Sequence, residues 1–331
     1  MSSGDDFGRQ ILSYWTTERM LSAVPEPGLD LTTTSAHSAQ VILDYWTPER
    51  MATARPEEHA YGEHIKTVEG AAIRCDRSAV QRVQGAASMT IVPDSKVKTF
   101  PFQSVGKLFY VKVGPSGESE SFASAWVANA SSELHVVMTA AHCLERDDNR
   151  AEKIFFVPGF IPPCFRPFGS YPQIPGGKGE AWIVDPNWDP NDMQAKYDLG
   201  MVRLEKDRDI GKYVNEVVLP IQVSIHQQYT PISEWNTIGY PVASSQNPDG
   251  KMAEQSGTFC RMSCDGGSFY KYGTLPKGTN GGPWILDGSN DSSSGVQTGN
   301  DCDYQCALSP YLTQNHLEEM IKLFKFMTYT E

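Results

Sequence analysis

Three short segments, in a fixed order along a chain of 331 residues, constrain what this sequence can fold into. Thr139-Ala140-Ala141-His142-Cys143 follows the apolar run His135-Val136-Val137-Met138. Lys196-Tyr197-Asp198-Leu199-Gly200 places an aspartate 56 residues after His142, and Gly278-Thr279-Asn280-Gly281-Gly282-Pro283-Trp284 places Asn280 a further 82 residues on. An apolar strand ending in Ala-Ala-His-Cys carries an imidazole to a strand end that faces a cleft. Asp198 opens an apolar strand, where a buried carboxylate needs a charged or hydrogen-bonding partner, and an imidazole supplies one. The neighbouring Asp185, Asp189 and Asp192 begin no such strand. The glycines of the third segment let the backbone turn tightly and aim N–H groups into a small cavity.

In this order the three segments resemble the His, Asp and Ser segments of trypsin/chymotrypsin-like serine peptidases. The resemblance implies that His142 is the general base and that Asp198 orients its imidazole and stabilises the protonated form. It implies oxyanion donors at the N–H groups of Gly278 and Asn280. The substrate pocket is expected to have its base near Thr274 and a wall at Val296, Gln297 and Thr298. The nucleophile is the point of departure: where the family pattern has Ser between Gly-x and Gly-Gly-Pro, this chain has Asn280. A carboxamide has no ionisable hydroxyl, so His142 has no proton to remove and no acyl-enzyme forms. Thr279 carries a hydroxyl, but adjacent side chains on a tight turn diverge. Two further departures stand out. Ala123, in Phe122-Ala123-Ser124-Ala125, replaces the Cys that the family bonds to the one after the His. Thr279 stands where trypsins have the Asp that pairs with a new N-terminus on activation.

Three functions follow as expectations. The first is a pseudopeptidase that binds a peptide or protein segment in its cleft, its own N-terminal extension among the candidates. The second is a genuine serine endopeptidase captured as a nucleophile mutant in its pro-form. The third is a repurposed non-peptidase enzyme using the His142/Asp198 dyad. No cofactor or metal is expected.

The fold class expected is all-β: a trypsin-like double β-barrel with a C-terminal helix, preceded by a partly helical N-terminal extension. The proposed division is 1–98 for the extension and 99–331 for the peptidase-like domain. Strand-like runs are Val105 to Val113, Phe122 to Val127, Leu134 to Thr139, Lys153 to Val157, Gly179 to Val184, Leu199 to Leu204 and Trp235 to Gly239, separated by turn clusters such as Asn247-Pro248-Asp249-Gly250. Leu312, Leu317, Met320, Ile321, Phe324 and Met327 recur at helical spacing, with Asn315 and Glu318 able to form a capping box.

The extension carries a repeat. Ile11-Leu12-Ser13-Tyr14-Trp15-Thr16-Thr17-Glu18-Arg19-Met20 returns as Ile42-Leu43-Asp44-Tyr45-Trp46-Thr47-Pro48-Glu49-Arg50-Met51. In the second copy Thr47 can cap a helix, Pro48 suits its first position and Glu49 complements its positive end. The phrase resembles one in pro-regions of secreted bacterial and fungal trypsin-like peptidases. It is read either as a segment docking Tyr-Trp over the cleft or as a pair of amphipathic turns filling surface grooves.

A net charge of -12 disfavours a nucleic-acid surface, and no apolar run approaches the roughly 20 residues of a membrane-spanning helix. The polar, acidic start Met1-Ser2-Ser3-Gly4-Asp5-Asp6 lacks a secretory leader, so the family resemblance implies secretion whereas Met1 as native start implies the cytoplasm. Seven cysteines leave at least one without a partner in the chain. In a secreted protein two or three disulfides are expected, Cys143–Cys164 being the simplest pairing. In a cytosolic one the thiols stay reduced. Cys260/Cys264 and Cys302/Cys306 lack two-residue zinc-knuckle spacing. The sequons Asn129-Ala130-Ser131 and Asn290-Asp291-Ser292 are compatible with either compartment.

Overall fold

The long hairpin at the centre of the first barrel organises everything around the site. Strand β3 (Val105–Gly114) pairs antiparallel with β4 (Gly117–Asn129), in register from Val105↔Trp126 to Gly114↔Gly117. The turn closes at Gly117, whose φ of 99° is open to glycine and costly for other residues. A half-exposed strand would alternate in burial, but β3 is buried at every residue from Val105 to Val111, so both of its faces are covered.

In this computed structural model the described residues are 39–57, 89–130, 134–192, 194–225, 234–262, 267–273, 276–286, 292–301 and 306–328. The first copy of the repeat, Thr274, Cys75, Cys264 and Cys302 lie outside them, as does part of each sequon.

Short strands β1 (Arg55–Pro56) and β2 (Thr90–Ile91) precede the hairpin. After it come β5 (Val136–Thr139), β6 (Glu145–Arg146), β7 (Asn149–Pro158), β8 (Tyr171–Pro172), β9 (Trp182–Val184) and β10 (Gly200–Arg203). The first barrel's ladder runs β9-β10-β5-β4-β3-β7-β8. The second is built from β11 (Ile221–Val223), β12 (Glu234–Gly239), β13 (Ala253–Met262), β14 (Ser268–Tyr272), β15 (Pro283–Leu286), β16 (Ser292–Val296), β17 (Gly299–Asp301) and β18 (Cys306–Pro310). Its ladder runs β11-β16-β15-β12-β13-β14-β18-β17. Strand β11 also pairs with the end of β4, at Ile221↔Ala128, and so joins the two ladders. Trp235, Phe269 and Trp284 pack together in the second barrel, with Phe269 edge-on to Trp284 at 4.9 Å.

The second repeat copy covers the outer face of β3. Helix α1 (Ala39–Tyr45) leads into α2 (Pro48–Thr53), where Thr47 accepts from the Arg50 N–H, Pro48 opens the helix and Glu49 sits in its first turn, as the sequence predicts. Trp46 is fully buried. Its indole donates to the Lys153 carbonyl at 2.6 Å and its ring lies 5.4 Å from Phe109. That carbonyl is available because β7 bulges opposite Tyr110, with Lys153 at a φ of 50°.

Two further sequence readings need correction. The C-terminal helix, α5 after the short α3 (Asp94–Val97) and α4 (Ala141–Leu144), spans Gln314–Thr328. Its cap is Thr313, whose hydroxyl accepts from the His316 N–H. Asn315 therefore lies inside the first turn and cannot form a capping box with Glu318. Cys143 and Cys164 are not bridged to one another; each is a free thiol.

Candidate active site

Strand pairing brings the first two segments together. Strands β5 and β10 are antiparallel with Thr139 opposite Gly200. The turn after Thr139 and the turn before Gly200 therefore lie side by side. His142 sits in α4, and Asp198 follows the 3-10 turn Ala195–Tyr197. The Asp198 carboxylate accepts twice from His142: from its backbone N–H at 2.9 Å and at Nδ1 at 2.8 Å. Holding both ends of one residue fixes the ring and leaves Nε2 directed away from the aspartate. Gly200 lets this approach stay close, since a Cβ would stand 2.7 Å from Leu144 Cδ1 and displace that methyl.

Ser124 of β4 ties the third segment to the first. Its N–H donates to the Asn280 carbonyl at 2.8 Å, its hydroxyl donates to the Gly278 carbonyl at 3.0 Å, and its carbonyl accepts from the Thr139 hydroxyl at 2.9 Å. Tyr240 N–H in turn donates to the Ser124 hydroxyl. One serine thus connects the glycine turn to the strand that delivers His142. Gly278 and Gly281 have φ near 90°, and a Cβ on Gly281 would meet the Ser124 carbonyl at 2.0 Å. The Thr279 hydroxyl donates to the Pro276 carbonyl at 2.7 Å, so it is turned into its own loop.

The site is closed. His142, Asp198 and Asn280 are each 0 % exposed. Cys143 Sγ lies 3.8 Å from His142 Nε2, on the ring atom that would receive a proton from a nucleophile. The Tyr110 hydroxyl, under the electrostatic influence of Cys143, donates to Glu57 Oε2 at 2.5 Å. Burial, then Glu57 and Cys143, hold the Tyr110 hydroxyl well above its ordinary pKa, so it stays a donor. Burial also pulls the His142 pKa down, but the Asp198 charge and Cys143 outweigh it and raise it to about 10. The Asp198 carboxylate thus holds the ring's second proton more firmly than in an ordinary histidine.

The N-terminal segment reaches this site through its backbone. Strand β1 runs parallel to β4, with Pro56 opposite Phe122. Glu57 N–H donates to the Phe122 carbonyl at 2.7 Å, and the Glu57 carbonyl accepts from Gly278 N–H at 3.3 Å. The Glu57 side chain is anchored as well, by Tyr110 and by Lys112 Nζ at 2.5 Å.

The residues named for the pocket wall line up beside the turn. Gln297 exchanges backbone bonds with Gly281 and Gly282, at 2.6 and 2.8 Å. Its side chain accepts from the Trp284 indole, and the Thr298 hydroxyl donates to the Leu308 carbonyl. Val296 is buried, its N–H donating to the Ser309 hydroxyl. Sequence reasoning did not identify Glu57, Tyr110 or the bridging role of Ser124. Nothing in their local pattern marks them, since each acts through partners distant in sequence. Among the described residues no cluster of His, Cys, Asp and Glu could hold a metal ion.

No family model matches the sequence. Chymotrypsin-like elastase family member 1 of Canis lupus familiaris is 26% identical over 174 residues, covering 44% of this chain and 59% of that relative. The match thus spans less than two thirds of the relative's length. Among solved structures, protease Anisep from Arthrobacter nicotinovorans superposes with a TM-score of 0.54 at 20% identity, over 66% of this chain and 93% of its own. A Glu endopeptidase superposes with a TM-score of 0.55 at 18% identity, over 73% and 98%. The chain has the trypsin/chymotrypsin-like serine peptidase fold. Within this fold His142 and Asp198 are bonded to each other through the backbone N–H and Nδ1. Asn280 stands between Gly278 and Gly281 in a tight glycine turn bonded to Ser124.

Proposed function

We propose that this chain is a trypsin-like serine peptidase homologue that binds peptide without cleaving it, and that its own segment around Glu57 is the peptide held at the nucleophile turn. The observation that carries this reading is the bond from Gly278 N–H to the Glu57 carbonyl. Gly278 is one of the two donors that the family resemblance directs at a developing oxyanion. Here a backbone carbonyl of the same chain already takes it. Three other features support the reading. Asn280 offers no hydroxyl to attack with, the His142 pKa is raised by Asp198, and neither residue is open to solvent. The segment also runs parallel to β4 and is locked by a buried carboxylate, so it is held as a fixture.

A serine-directed fluorophosphonate probe tests the first half. The expected result is no labelling of the native chain, and covalent adduct at any residue of the cleft sinks the reading. Asn280→Ser tests the second half. Alone it should recover little peptidase activity, because the Gly278 donor is occupied. Combined with Glu57→Ala and Trp46→Ala, which loosen the segment, it should recover more. Full activity in the single variant would show that the segment does not block the site.

A further inference from the structure

Among the described residues, Lys107 near the start of β3 is a buried cation without a counter-charge. It is 8 % exposed. Its Nζ stands over the Phe122 ring at 3.8 Å and near Phe109 and Phe160 at 5.3 and 5.4 Å. Among the described residues it makes no hydrogen bond and no ion pair, and the only influence on its titration is burial, which lowers its pKa to about 8. Aromatic faces attract an ammonium, but they do not replace the solvation a buried charge has lost. A folded chain normally pairs such a group or leaves it exposed.

This ammonium is directed into a cavity of about 590 Å³. Met51, Ala54 and Pro56 of the N-terminal segment form one side, and Phe122, Phe160 and Pro241 the other. Apolar walls with one convergent polar group are the common form of a ligand site. The other charged groups on the lining are Asp249, which is exposed, and Lys251, which already pairs with Asp94 at 3.2 Å. None of His142, Asp198 and Asn280 lines it, whereas Pro56 and Phe122 do, so the cavity adjoins the segment docked at the glycine turn.

We propose that this cavity binds the carboxylate of a peptide, from an acidic side chain or from a C-terminus, with Lys107 as its counter-ion. A single ammonium matches a single negative charge. The apolar walls accommodate the hydrocarbon part of a residue, and a net charge of -12 disfavours polyanions such as nucleic acid. Because residues 51–56 form one wall, a bound carboxylate also stabilises the docked N-terminal segment.

Calorimetric titration of the full chain tests this with three probes. N-acetylleucine presents a terminal carboxylate, N-acetylglutamate α-amide a side-chain carboxylate, and N-acetylleucinamide neither. At least one acid should bind with one-to-one stoichiometry while the neutral amide does not, and the stronger acid identifies the source of the carboxylate. Lys107→Gln should weaken that binding by about tenfold or more. Lys107→Met removes an unpaired buried charge, so its melting temperature should equal or exceed that of the native chain, which separates loss of binding from loss of fold. Equal binding of acid and neutral amide, undiminished binding by Lys107→Gln, or no binding by either acid at tens of millimolar overturns the proposal.

Discussion

At the scale of single residues, the site is defined by which atom each side chain is offered. His142 gives Nδ1 to Asp198 and Nε2 to Cys143, so both nitrogens are engaged inside the protein. The consequence for stability has a definite sign. The folded pKa of about 10 exceeds the ordinary histidine value of about 6.5. The contribution of His142 is therefore complete below about pH 6.5 and is lost as pH rises towards 10. The gap in melting temperature between the native chain and His142→Gln should accordingly narrow across that interval; a gap that widens contradicts the assignment. The cysteines allow a second residue-scale prediction. Cys143 is 0 % exposed and Cys164 is partly exposed. Iodoacetamide on the native protein should modify Cys164 and spare Cys143, and peptide mapping without reductant should find no 143–164 bridge. Ala123 explains why Cys143 stayed a thiol: the family's partner cysteine is absent from the strand beside it.

At the scale of elements, the informative case is the second repeat copy. Its capping chemistry was legible because Thr47, Pro48 and Glu49 act within one turn. Its destination was not. Trp46 reaches a carbonyl more than a hundred residues away, exposed by a bulge in β7 that no local pattern signals. Trp46→Ala removes a fully buried ring and its hydrogen bond and should destabilise the docked segment by about 3 kcal/mol or more. Limited proteolysis in residues 39–57 should then precede global unfolding. Simultaneous loss of the whole fold would show that the segment is part of one cooperative unit. The main strands of the first barrel and β12 were read from their apolar runs and the β16 edge from the family resemblance, whereas β13, β14, β15, β17 and β18 were not assigned. In β13 the polar and small residues Ser256 and Gly257 break the apolar run and pair with β12 instead, while β15 and β18 are only four and five residues long.

At the scale of the whole molecule, the two barrels are joined by the β11–β4 pairing and by Ser124 bonded to the glycine turn. Ser124 belongs to the first barrel and Asn280 to the second, and their bond joins the halves that any trypsin-like site must align. Gly281→Ala tests that alignment. A methyl group there collides with the Ser124 carbonyl and the Thr139 hydroxyl at a φ of 87°. The change should cost about 2–4 kcal/mol in chemical denaturation. A stability equal to the native chain's would mean that the barrels are held together elsewhere. The sequence by itself determined the order of the His, Asp and glycine-turn segments, the place of each on a strand end or turn, and the absence of a nucleophile at 280. Those properties reside in strings of five to seven residues whose identity is their chemistry. Only the tertiary structure decided that the Glu57 carbonyl occupies the Gly278 donor, that a free Cys143 faces His142, and that Lys107 is buried without a counter-ion among the described residues. Each of these depends on what strand pairing and docking bring beside a residue. That is a property of the packed chain, and the residue's own neighbours in sequence do not carry it.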